Sequence, residues 1–107
     1  MTDVIQVVTT TASEDEAQRI ASALIERRLA ACVQTVGPII STYRWQGAVE
    51  TSQEWQCVIK TRRDLFAEVE AAIIELHSYD VPEILAMSVV AGSRNYLDWV
   101  ASETGGH

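Results

Sequence analysis

The spacing of apolar residues changes repeatedly along this chain, between the two-residue alternation of strands and the three-to-four-residue spacing of helices. Val4 to Thr10 is short and β-branched, which predicts a buried strand. Ser13 then opens a capping box with Glu16: the serine hydroxyl accepts from the Glu16 amide while the Glu16 carboxylate reaches back. Glu14, Asp15 and Glu16 suit the positive end of a helix dipole. Ala17, Ile20, Ala21, Leu24 and Ile25 follow at helical spacing and give one apolar face, with Arg27 and Arg28 in the last turn. Cys32 to about Gln46 and Ala48 to Thr61 read as two strands around Gly47. Pro38 has no N–H for a ladder, so it predicts a bulge or an edge. In the second of these strands Trp55, Cys57 and Ile59 alternate with Glu54, Gln56, Val58 and Lys60, giving one apolar face and one mixed face. Thr61 to Asp64 offers a second helix start, with Phe66, Val69, Ile73 and Leu76 as its buried stripe. Glu83 to Val90 predicts a last strand, and Gly92-Ser93 caps a short C-terminal helix carrying Tyr96, Leu97 and Val100. Residues 103–107, ending Gly105-Gly106-His107, are expected to form a flexible tail.

The order β-α-β-β-α-β predicts an α+β fold of the ferredoxin-like kind, spanning residues 1–107 as a single domain. Its antiparallel sheet of four strands would carry two helices on one face, beside a long β-hairpin and a short C-terminal helix. A hairpin arm of ~14 residues at ~3.3 Å each would reach roughly 45 Å. A compact chain of this size is only roughly 35 Å across, so the hairpin should project beyond its own core. An arm bearing Tyr43, Trp45 and Trp55 is unstable in water alone, which predicts that it packs on another copy of the chain.

Composition narrows the function. The chain has 107 residues, enough for one core, and 48% hydrophobic content excludes a disordered protein. A net charge of −7 with scattered Lys and Arg argues against nucleic acid as a partner. The absence of a long apolar run and of a basic-then-apolar N-terminus points away from membranes and towards the cytoplasm. The two cysteines, on different segments, agree with a reducing compartment.

The densest chemistry lies in His77-Ser78-Tyr79-Asp80-Val81-Pro82-Glu83-Ile84, which joins a helical pattern to a strand pattern. This octapeptide resembles the His-Pro-Tyr-Glu-Val-Pro-Glu-Ile signature of the CutA family, the divalent-cation-tolerance proteins. Ser78 stands at the family's usual proline and Asp80 at a glutamate. Leu29-Ala30-Ala31-Cys32-Val33, Tyr43-Arg44-Trp45-Gln46-Gly47, Ile59-Lys60-Thr61 and Gly92 followed by Tyr96-Leu97 and Trp99 are similar to further family blocks, in the same order. The resemblance implies a tightly interlocked homotrimer, a link to divalent metals, and copper binding through the residues matching Cys32, His77 and Glu83.

Each of those residues has a plainer reading. A thiolate, an imidazole and a carboxylate suit copper(II) or another divalent metal, with Asp80 as a substitute ligand. Yet no CxxC, HxxxH or HExxH spacing is present. Cys32 and Cys57 also read as small buried apolar residues, His77 as a helix cap, and Glu83 as a loop anchor or subunit contact. Tyr43, Trp45, Trp55 and Tyr79, with Tyr96 and Trp99, read as core and subunit interface, or as a pocket between subunits with Arg44 and Lys60 as polar fixtures. No nucleophile motif or phosphate loop appears, so an enzyme is not expected. The expectation is a cytoplasmic homotrimer implicated in the response to divalent metals. The alternatives are a small-molecule sensor built like the nitrogen-regulatory PII proteins, and a scaffold for protein partners.

Overall fold

In the computed structural model, which describes residues 1–105, the elements run β1 (Val4–Thr11), α1 (Glu14–Glu26), β2 (Cys32–Trp45), β3 (Ala48–Arg62), α2 (Phe66–Leu76), β4 (Leu85–Ser88) and α3 (Arg94–Glu103). The sheet order is β2-β3-β1-β4 and every pairing is antiparallel, the split βαβ topology expected from the element order. Ile5 and Val7 of β1, with Cys57 and Ile59 of β3, share one sheet face and meet Ala17, Ile20 and Leu24 of α1 and Val69, Ala72 and Ile73 of α2. Helix α3 lies at the far end of the opposite face, where its Leu97 and Ala101 adjoin Val4 and Arg62.

Helix α1 stops by a Schellman closure: the Leu29 amide donates to the Leu24 carbonyl and the Arg28 amide to that of Ile25. Arg28 therefore occupies the left-handed position, at φ 57°, where glycine is more usual. Its side chain offsets that strain by donating from Nε to the Gly105 carbonyl and from Nη2 to the Ser102 carbonyl. The Gly105 amide returns a bond to the Arg28 carbonyl, and Thr104 is buried. Thr104 and Gly105 are thus tied down rather than loose as expected; Gly106 and His107 lie outside the described residues. The last strand is also shorter than the expected 83–90. Ladder pairing covers only Leu85 to Ser88, because residues 81–83 line a cleft and Ile84 packs against the core.

Gln46 and Gly47 both have positive φ and close the β2–β3 hairpin in two residues, as a primed turn requires. The register shifts between Val36 and Ile39, the bulge expected at Pro38. Strand β1 pairs with β3 only as far as Thr11 opposite Trp55. Beyond that point residues 48–54 of β3 pair with 39–45 of β2 and nothing else. The arm draws the molecule out to 44 × 26 × 22 Å. Its apolar side chains stay in water, with Ile40 78% and Val49 65% exposed.

At the arm's root the backbone of Gly37 runs under the Trp55 indole, and a Cβ there would lie 2.5 Å from Trp55 Cδ1. Gly37→Ala is expected to lower stability by about 1–3 kcal/mol through this overpacking. Denaturant midpoints should show the loss largely removed when Trp55→Leu is added; an unchanged Gly37→Ala midpoint would contradict the packing described.

Candidate functional site

The octapeptide begins at the end of α2, where the His77 amide still donates to the Ile73 carbonyl. The chain then turns extended at His77, with φ −85° and ψ 143°. This carries the imidazole beneath the loop, where its side chain is completely inaccessible. Both ring nitrogens are engaged. The Tyr79 amide donates to Nδ1 at 3.1 Å, so that nitrogen carries its lone pair, and Nε2–H donates to the Thr10 carbonyl at 2.7 Å. The ring is therefore held as the neutral Nε2–H tautomer, tilted against Tyr79 with ring centroids 4.7 Å apart.

Glu16 closes the clasp from α1. Ser13 Oγ accepts from the Glu16 amide, as the capping box predicts, but the carboxylate does not reach back. It accepts instead from the amide of Ser78 at 2.7 Å and from the Ser78 hydroxyl at 3.1 Å, with His77 Nδ1 at 3.6 Å. The His77 backbone lies in the region that a following proline favours, so the local path fits the resemblance. Serine at 78 adds two donors that proline lacks, and the nearly buried Glu16 carboxylate takes both.

Tyr79 extends the chain of bonds to the arm, its hydroxyl donating to Glu54 Oε2 at 2.8 Å. Burial first, then the Glu54 hydrogen bond and charge, push the Tyr79 phenol well above its ordinary value of 10. Loop and arm so joined enclose a cleft of about 710 Å³. Tyr43, Trp45, Tyr79, Glu50, Glu54, Asp80 and Glu83 line it, and none of its lining side chains is basic. Arg44 and Lys60, expected as polar fixtures, are elsewhere. Arg44 falls between Tyr43 and Trp45, on the opposite face of the arm by strand alternation, and Lys60 donates to Gln34. Trp55 also lies outside the cleft, packed against the core.

The structure does not bring Cys32, His77 and Glu83 together. Cys32 pairs with Lys60 on the sheet face opposite the main core and abuts Tyr96 of α3. Glu83 is exposed at the cleft, and His77 has no free nitrogen. Among the described residues no group of three or more His, Cys, Asp or Glu side chains can hold a metal ion. Cys57 is fully buried, with its thiol near the Ala17 carbonyl and its pKa pushed up to about 11 by burial and then by Glu16. It is a core residue. Glu16 and Glu54 are the site residues that sequence reasoning missed as such. Glu16 was hidden by its capping role, and Glu54 showed only as a charge on the mixed face of a strand.

The family described as CutA1 divalent ion tolerance protein matches residues 5–103. The divalent-cation tolerance protein CutA of Thermus thermophilus is 46% identical over 99 residues, covering 92% of this chain and 96% of that protein. The crystal structure of CutA from Xylella fastidiosa superposes with a TM-score of 0.95 at 38% identity, covering 97% of this chain and all of that one. CutA1 from Oryza sativa gives 0.95 at 35% identity, covering 99% and 97% of the two chains.

The clasp makes two predictions. With a chelator present, His77→Ala should lower stability by about 2–4 kcal/mol, because Thr10 and Tyr79 lose buried partners. Glu83→Ala should stay within about 0.5 kcal/mol, and equal effects of the two would contradict the assignment. In the alkaline range, folded-state pKa values raised for Cys57 and Tyr79 mean that their stabilising contributions are full below the unfolded values of 9.0 and 10.0. Each contribution is lost as pH rises through its folded value. Tyr79→Phe should flatten the decline above pH 10, measured as unfolding free energy against pH; an unaltered slope would contradict it.

Proposed function

This chain belongs to the CutA1 divalent ion tolerance protein family, and from that premise we propose that it works as a cytoplasmic, non-enzymatic homotrimer. In this reading it binds divalent metal ions, copper(II) among them, in crevices completed between copies. The observation that carries the assembly is the arm: residues 39–45 and 48–54 pair only with each other and leave Ile40 and Val49 in water. Two strands alone are marginal, so the arm needs a neighbour to cover it. A second surface points the same way. Leu85 and Met87 of the edge strand and Val36 of β2 are exposed on the sheet face that α1 and α2 leave open.

The metal part starts from donors that are free in one chain. Cys32 is a half-buried free thiol on that open face, and Glu83 is an exposed carboxylate. A thiolate favours copper over harder ions. Among the described residues no three such donors converge, so in this reading the shell around either group is completed by a neighbouring copy or by water. His77 serves by holding the loop that presents Glu83. The free thiols support the cytoplasmic placement.

Sedimentation at micromolar concentration should give a species of about 35 kDa, three times the 11.8 kDa chain. Ile40→Asp should convert it to monomer, since the side chain is already in water in a single chain. A parent protein that sediments as one chain would overturn the assembly. Copper(II) titrated calorimetrically should bind the Cys32→Ala variant about tenfold more weakly or worse. Equal affinity would overturn the copper reading while leaving the assembly intact.

A further inference from the structure

The geometry points to a directional charge contact between copies: Arg44, on the back of one copy's arm, meets Glu50 on the cleft face of the next copy's arm. This inference rests on the assembly reading and names the side chains through which neighbouring copies recognise each other. Strand alternation gives the arm two unlike faces. Tyr43, Trp45, Glu50 and Glu54 line the cleft on one of them. Arg44 stands on the other, directly across the ladder from Val49, with Ile40 on the same face.

Elimination singles out Arg44. The chain has eight Lys and Arg residues. Arg27 pairs with Glu75 and Arg62 with Asp64, while Arg28, Lys60 and Arg63 donate to oxygens of their own chain. Arg19, Arg44 and Arg94 make no ion pair among the described residues. Only Arg44 of these three stands on the arm, beside the exposed Ile40 and Val49 that need a neighbour. The cleft face is its counterpart. No basic side chain lines the cleft, and Glu54 is already bonded to Tyr79, which leaves Glu50 as the arm carboxylate to take the pair. Glu50 lies across the ladder from Tyr43, and the Tyr43 and Trp45 rings are half-exposed. A planar guanidinium stacks on such a ring while its fork meets a carboxylate.

Symmetry supplies the rest. Copies that close into a ring of three meet head to tail, through two different surfaces on each copy. The arm faces are such a pair, one with aliphatic side chains and a cation, the other with aromatic rings and carboxylates. Each copy then gives one contact and takes one. Like faces set together would oppose Arg44 to Arg44 or Glu50 to Glu50, so the charges also fix the direction of the ring.

Charge reversal in the intact protein tests the contact, with subunit exchange as the readout. Nitrogen-15-labelled and unlabelled protein are mixed, and native mass spectrometry follows the appearance of mixed trimers. Both side chains are exposed in a single chain, so neither reversal disturbs its fold. Arg44→Glu and Glu50→Arg should each exchange at least about tenfold faster than the parent, because each sets like charges together. The double variant restores opposite charges and should return to within about threefold of the parent. Within one chain the two side chains point to opposite faces of the arm, so that rescue reports contact between copies. A single variant that sediments as monomer while the double variant remains trimeric supports the pair equally. Single variants that exchange like the parent, or a double variant no slower than the faster single, would overturn the inference and leave the assembly standing. A parent that sediments as one chain removes the assembly and this contact together.

Discussion

A buried imidazole with both nitrogens already bonded organises the working end of this protein. His77 takes a proton bond from the Tyr79 amide and gives one to the Thr10 carbonyl, so a single side chain joins α2, β1 and the following loop. Glu16 adds α1 through Ser78, and Tyr79 adds the arm through Glu54. Four stretches distant in sequence, β1, α1, the arm and α2 with the loop that follows it, meet at one small polar cluster. In the low dielectric of such a place a satisfied network rigidifies and a half-satisfied one destabilises, so the loop has one conformation available. The cleft exists because that loop is fixed against the arm.

The arm is the second constraint, and it acts outward. A compact chain of this length has a radius of gyration near ~13 Å; this one measures 14.3 Å, stretched by strands that outrun their own sheet. Hydrophobic side chains on both faces of those strands, and on the open face of the sheet, define what a neighbouring copy has to cover. Assembly and cleft are therefore linked through the same hairpin, whose root carries Glu54 and whose tip carries Trp45.

Much of this was legible in the sequence, for definite reasons. Period-two alternation at Trp55, Cys57 and Ile59 fixed the buried face of β3, and helical spacing fixed that of α1. Pro38 announced the bulge because it lacks a donor, and Ser13 announced the start of α1 because its hydroxyl is an acceptor. What escaped were pairings between polar groups far apart in sequence. Glu16 looked like the second half of a local capping box, and only the fold brings Ser78 near enough to claim its carboxylate. Arg28 looked like a helix-end charge, and only the fold returns the C-terminus to its guanidinium. His77 resembled a ligand because imidazole chemistry is written in the residue, whereas the partners that occupy it are written 67 residues away in Thr10 and in a backbone amide.

That His77 is held structurally, with both ring nitrogens already bonded, is the point on which this account turns. Nitrogen-15 NMR of the imidazole ring at neutral pH reads it directly. The account requires a protonated Nε2 and an unprotonated, hydrogen-bonded Nδ1, with both shifts unmoved when zinc, a diamagnetic divalent ion, is added. A ring whose nitrogen shifts move on addition of zinc, or that samples both tautomers freely, would contradict it.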